Sequence, residues 1–370
     1  MSRTERKIAF VAAVTLLLST LEYLIPKPLP FLRLGLANLP LLLILDTFSL
    51  KAYSIVLLLK AIGQGMVSGT LFSYLFFISL AGTVSSGLAM KALKTALGGK
   101  VSLIGCSIVG AFVSNLAQLQ VASLVAYGPS IWIAAPLMLT LGVVSSLVLG
   151  LLAELYLQKG TLPKAFVEET LELSIPLTEE AKHYPAVAFA SLLCIIAIIT
   201  AEGLLVLALV TALMYFLQII SGRRLRLLPP LMLLLSLILL SLFEPNGKVL
   251  LSLGSAAFTE GSLILALGKA LRLMSLLAAS QCLVASNPKL KGKGGAILLL
   301  TLSYFGLLST SFRSTKGSLT ERVDQTLLRV ARAETAPNIP GKQKRGINTG
   351  LFIAGAVLVS VMSLSSKFFL

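Results

Sequence analysis

Eight residues able to carry charge or several hydrogen bonds lie within strongly apolar runs of this 370-residue chain. They are Glu22, Asp46, Lys60, Gln64, Asn115, Gln118, Gln120 and Glu154. A charge at membrane depth costs roughly 2.5–3.5 kcal/mol on insertion scales, so such groups face a cavity or a partner. Asn115 and Gln118, three apart, share one helix face. Gly105, Ser107, Gly110 and Ser114 make the same segment narrow, and Gly82, Ser73, Ser85 and Ser86 do so in "GTLFSYLFFISLAGTVSSG". Small residues let helices approach closely. The same set, converging in one bundle, also makes a small-molecule site with a few hydrogen-bonding handles. Glu22 and Asp46 lie near the ends of their runs, where each taken alone reads as an interfacial residue.

Other chemistries lack their residues. There is one histidine, His183, and the cysteines Cys106, Cys194 and Cys282 share no metal-like spacing, so nothing builds a zinc or histidine-base centre. No G-x-x-x-x-G-K-[ST] cradles a nucleotide phosphate. Only two aspartates exist, Asp46 and Asp324, whereas diphosphate chemistry with magnesium calls for clustered oxygen ligands. The chain is expected to be no enzyme and to carry no cofactor. Its formal charge of +16 sits in short connecting loops with few aromatics to stack bases. That is the positive-inside bias of a membrane protein and not a nucleic-acid surface.

The elements that position these residues are membrane helices. The chain is 56% hydrophobic and 12% charged, with a mean hydropathy of +0.93, against about a quarter charged residues in soluble domains. Apolar runs of about 17–25 residues recur, enough to cross a hydrocarbon core of about 30 Å. The expected fold is an all-α polytopic membrane protein of the cytoplasmic (inner) membrane. The first half holds segments at about 8–25, 35–48, 52–70, 71–90, 101–126 and 132–157, with both its ends cytoplasmic from the loop charges. The first run reads as a retained span and not a cleaved signal. Tyr127 and Trp132 read as interfacial belt aromatics.

Residues 158–184, polar, acidic and closed by Pro176 and Pro185, read as a linker. The second half has runs at about 186–200, 204–221, 227–243, 263–286, 295–312 and 347–366. Loop charge favours 295–312 lying along the cytoplasmic surface, which keeps the basic segment Arg313–Arg345 inside. "RVDQTLLRVARAET", from Arg322, is an amphipathic helix with Val323, Leu327, Leu328, Val330 and Ala331 on its apolar side. It reads either as a headgroup-level helix on anionic lipid or as a helix offering Arg332 to a partner protein.

The first half, about residues 5–157, resembles the family known as Gx transporters, also labelled heptaprenyl diphosphate synthase component I. Its relatives have the S-component fold of energy-coupling-factor (ECF) transporters. The resemblance rests on "LEYLIP", "LRLGLANLP", "FFISLAGTVSSGL" and "GCSIVGAFVSNLAQLQVA". Where that family has a His-Asn pair and a Gly-Gln, this chain has Ser114-Asn115 and Ala117-Gln118. The second half resembles the T component, through Lys248–Pro288 and through "VARAE", which matches one Ala-Arg-x motif that docks into an ATPase.

The resemblance implies residues 1–157 as a substrate-binding domain of about six helices, 158–184 as a tether, and 185–370 as a scaffold with a cytoplasmic coupling helix. It implies an ECF-type ABC transporter subunit that moves a small vitamin-like molecule, with a flavin as the leading substrate, powered by separate cytoplasmic ATPases. The implied binding residues are Arg33, Gly35, Asn38, Gln64, Ser85, Asn115 and Gln118; those coupling to the ATPase are Ala331, Arg332 and Ala333. Asn38 has two readings, an amide offered to a ligand or an N-cap of the following helix. Two other functions compete: a non-catalytic anchor for quinone or isoprenoid synthesis, and a stand-alone secondary transporter.

Overall fold

The computed structural model describes residues 1–23, 35–159, 183–223, 225, 228–253, 256–288, 292–315, 319–331 and 347–366. Arg33, Arg332, Ala333 and nearly all of the expected linker lie outside the described residues. Thirteen α-helices are described. In the N-terminal half they are α1 (Arg3–Tyr23), α2 (Leu39–Leu43), α3 (Leu50–Ser68), α4 (Tyr74–Leu97), α5 (Leu103–Ala122) and α6 (Ala135–Lys159). Then follow α7 (Pro185–Thr200), α8 (Leu204–Ile220), α9 (Leu228–Ser241), α10 (Glu260–Ala285), α11 (Gly292–Ser314), α12 (Leu319–Ala331) and α13 (Thr349–Ser365).

Local chemistry sets several of these boundaries. Ser49 and Ser102 accept hydrogen bonds from the backbone N–H groups of Ala52 and Gly105, capping α3 and α5. Gly69, at φ +73°, ends α3 in the left-handed conformation that favours glycine. Thr259 and Ser262 form a reciprocal capping box that starts α10. An antiparallel hairpin, β1 (Val249–Leu253) with β2 (Ala256–Thr259), leads into that cap; it is the one local departure from the all-helical expectation among the described residues.

Stretches around α3, α4, α5, α6, α10 and α11 are long and apolar enough to cross a membrane, so the chain is a helical, multi-pass membrane protein. Two expectations for individual runs change. Residues 35–48 do not form a span: a 3-10 turn (Leu36–Asn38) runs into the five-residue α2, and the chain turns away after it. Five residues rise only about 7–8 Å. Residues 295–312 fall within α11, a 23-residue helix packed along α1 and not a segment set apart on a surface. Phe10 and Tyr304 meet edge to face there, ring centroids 5.6 Å apart.

Lipid tails are as apolar as leucine, so helix association in the bilayer rests on close packing more than on removal of water. Glycines supply that closeness. Gly110 of α5 lies against Met90 of α4, and Gly150 of α6 against the backbone of Ile104 of α5. Outward-facing Leu141, Val144, Val148 and Leu155 on α6, and Phe189 and Ile196 on α7, present apolar surface to lipid.

Two buried apolar clusters result, and both mix residues from either side of 160–182. The first joins α1, α2 and α3 with α11 and α12. The second joins parts of α4 and α5 and the turns after α5 with α7 to α10 and α13. Polar ties follow the same pattern. Ser280 Oγ of α10 sits 3.1 and 2.6 Å from the carbonyl oxygens of Gly69 and Leu71. The Tyr156 hydroxyl of α6 donates to Asp324 Oδ1 of α12 at 3.0 Å. The backbone N–H of Ser130 donates to Glu244 Oε1 at 2.9 Å.

Candidate binding cavity

A small cavity lies inside the N-terminal half, at the meeting of α1, the Gly35–Asn38 turn, α3, α4, α5 and α6. Its walls are Glu22, Gly35, Ala37, Asn38, Lys60, Ser79, Thr83, Ala111, Ser114, Asn115, Gln118, Gly142 and Ser145. The volume is about 30 Å³, room for about two or three waters on a measure where one needs about 10–15 Å³. Helical spacing builds the walls: Ser79 and Thr83 are one turn apart, as are Ala111 and Asn115, and Ser114 and Gln118.

The turn at Gly35 sets the mouth of this arrangement. Gly35 holds φ +92°, a conformation L side chains rarely adopt. Its carbonyl accepts from the Asn38 N–H at 2.7 Å. Asn38 occupies the N-cap position of α2 but makes no side-chain cap bond, which excludes the capping reading. Its Oδ1 instead accepts from Lys60 Nζ at 2.6 Å. Lys60 is only 1% exposed, so this bond ties a lysine amine into the interior, where an amine or an amide oxygen left without its partner costs about 1–3 kcal/mol.

On the opposite wall, Asn115 Nδ2 donates to the Met138 carbonyl at 2.7 Å, and Gln118 Nε2 to Ser114 Oγ at 2.8 Å. Ser114, standing where the resembled family has histidine, therefore orients Gln118. Two glycines make room for these amides. A Cβ at Gly82 of α4 would fall 2.6 Å from Gln118 Nε2, and one at Gly142 of α6 would collide with Asn115 Nδ2.

Of the seven binding residues that the resemblance implies, Gly35, Asn38, Asn115 and Gln118 line the cavity. Gln64 and Ser85 are not among its walls. Lys60, one turn before Gln64, and Thr83, two residues before Ser85 on α4, occupy those places. Glu22, read as interfacial from its position alone, is 3% exposed and lines the cavity. Asp46 lies at the surface, its side chain 68% exposed and 3.5 Å from Lys94 Nζ. Tyr127 is buried beneath α9, its hydroxyl 3.4 Å from Ser236 Oγ, and is no belt residue, whereas Trp132 is exposed.

At the far end, Leu327, Val330 and Ala331 of α12 are buried in the first apolar cluster. Ala331 is thus turned inward, and its expected neighbours in a docking motif, Arg332 and Ala333, lie outside the described residues. Arg322 holds α12 to α11 through the Phe312 carbonyl at 2.8 Å, its guanidinium 4.3 Å above the Phe312 ring.

No curated protein and no solved structure matches the chain. Residues 11–156, which include every residue lining the cavity, match the family model described as heptaprenyl diphosphate synthase component I.

Proposed function

We propose that the chain is a membrane subunit of an ECF-type ABC transporter, whose N-terminal half receives a small molecule and whose C-terminal half passes on the work of separate ATPases. The observation that carries this reading is the cavity: buried polar side chains of α1, α3, α4 and α5 and half-buried Asn38 and Ser145 line one space inside a membrane bundle. Polar groups placed so deep are costly, and a shared ligand site gives them a use beyond the ties they make between helices. The residues of the matched stretch and the T-like features of the second half, the "VARAE" motif among them, support the transporter assignment. Flavin, the substrate the resemblance implies, is a poor match for walls with no aromatic side chain, and the proposal is made without it.

Affinity purification of the full chain from its native membrane in mild detergent tests this. An ATPase pair retained with the chain, and lost on Arg332→Glu, supports the transporter. The family description favours a second reading, a non-catalytic subunit of a prenyl diphosphate synthase. Retention of a prenyl synthase, with no ATPase, would establish that reading instead. Substrate uptake by vesicles lacking any ATPase would mark a secondary transporter.

A further inference from the structure

The hydrogen-bonding sense of the cavity narrows what it takes. A backbone carbonyl only accepts, so the bond from Asn115 Nδ2 to the Met138 oxygen fixes which way the Asn115 carboxamide points. Its Oδ1 is the atom left to offer. Gln118 spends its Nε2 on Ser114 Oγ, and its Oε1 is buried with no hydrogen-bond partner in the protein. An orphaned buried acceptor costs about 1–3 kcal/mol, a cost relieved when a donor arrives. Both carboxamides line the cavity on one face of α5. None of the thirteen lining residues is aromatic, and apart from Lys60 none is larger than glutamine or glutamate.

We infer that Asn115 and Gln118 form a donor-reading end, and that the molecule bound there is compact and hydrophilic and presents N–H groups, as an amine or amidine does. A flavin, a broad three-ring system that needs flat apolar walls, falls outside this class. The inference rests on the cavity being a ligand site. Its substrate class, however, rests on the Asn115 carboxamide fixed by the Met138 carbonyl and on the unmet Gln118 Oε1, and not on the chain's partners.

Acetamidinium and acetate test it, because they share size and shape while one only donates and the other only accepts. Riboflavin serves as the third probe. Each is titrated against the purified full chain in detergent, reading the rise in melting temperature with probe concentration. Acetamidinium should stabilise the wild type, need at least about tenfold more probe in Gln118→Leu, and act at equal or lower concentration on Gln118→Glu, which keeps an acceptor and adds charge. Should Gln118→Leu not fold, Gln118→Glu decides alone: a weakened acetamidinium response there overturns the assignment. A Gln118-dependent response to acetate or riboflavin, with none to acetamidinium, leaves a ligand site but refutes the donor class. No Gln118-dependent response to any probe, in folded variants, overturns the binding reading itself.

Discussion

Gly82→Ala tests the architecture of the cavity wall through a change of sign. The added Cβ would stand 2.6, 2.7 and 2.9 Å from Nε2, Cγ and Cδ of Gln118, closer than carbon contacts allow. Gln118 must then leave its rotamer and surrender the 2.8 Å bond to Ser114. Overpacking of this kind costs about 1–3 kcal/mol, while alanine gains about 1 kcal/mol over glycine within a helix. The net expectation in the wild type is a loss of about 0–2 kcal/mol. A Gln118→Ala background removes the three atoms nearest the new Cβ, so the same substitution should stabilise there by up to about 1 kcal/mol. The coupling between the two sites is therefore about 1–3 kcal/mol, measurable as a double-mutant cycle of melting curves in one detergent. If Gly82→Ala changes stability equally in both backgrounds, within about 0.5 kcal/mol, Gln118 does not lie against Gly82 and the wall is wrongly built.

Three further perturbations probe other contacts. Asn38→Ala removes the Oδ1 that accepts from the buried Lys60 Nζ and should lower stability by about 1.5–3 kcal/mol; an unchanged melting temperature would show that the Lys60–Asn38 bond is not made. Gly150→Ala should cost about 0–2 kcal/mol net of the helix gain of alanine, because its Cβ would come 2.6 Å from the Ile104 Cα and backbone cannot swing aside as a side chain does; a gain of about 1 kcal/mol in the same assay would mean α5 and α6 lie further apart. Ser280→Ala removes the hydroxyl between α10 and the carbonyls of Gly69 and Leu71. It should cost about 1 kcal/mol and speed amide exchange in residues 69–73, and exchange that stays as slow as in the wild type would count against that tie.

The cavity was partly legible beforehand, and the legible part follows helix geometry. Asn115 and Gln118 are three apart on one apolar segment, so their shared face is arithmetic. Lys60 stood out as charge within an apolar run and Glu22 read as interfacial, but where they converge depends on how α1 and α3 pack, which no local spacing encodes. The same limit explains Gln64 and Ser85: Ser85, two residues from Thr83, points to another side of α4, while Gln64 shares the face of Lys60 but stands a turn, about 5.4 Å, further along α3, and only the packing of neighbours decides which level the cavity occupies. Asn38 shows local preference overridden by tertiary contact, since a favoured capping residue gave its oxygen to a lysine twenty-two positions on. The hydropathy of 35–48 promised a span, yet Pro40 near the start of α2 and the polar Asp46-Thr47 confine it to a short buried helix. For α11, loop charge was outweighed by an apolar surface that α1 covers.

The enclosure of α1 has a bearing on biosynthesis. From Ile8 to Leu18 that helix is buried without a break, and one of its flanks is α11, which begins at Gly292. At roughly 5–20 residues per second, a ribosome needs on the order of 15–50 s to travel from the end of the first helix to the start of the one that shelters it. Through that interval α1 waits beside an empty berth, and the Phe10–Tyr304 contact is among the late ones to close. A nascent chain halted before α11 would thus expose a ready-made recognition surface for the cell's quality-control machinery.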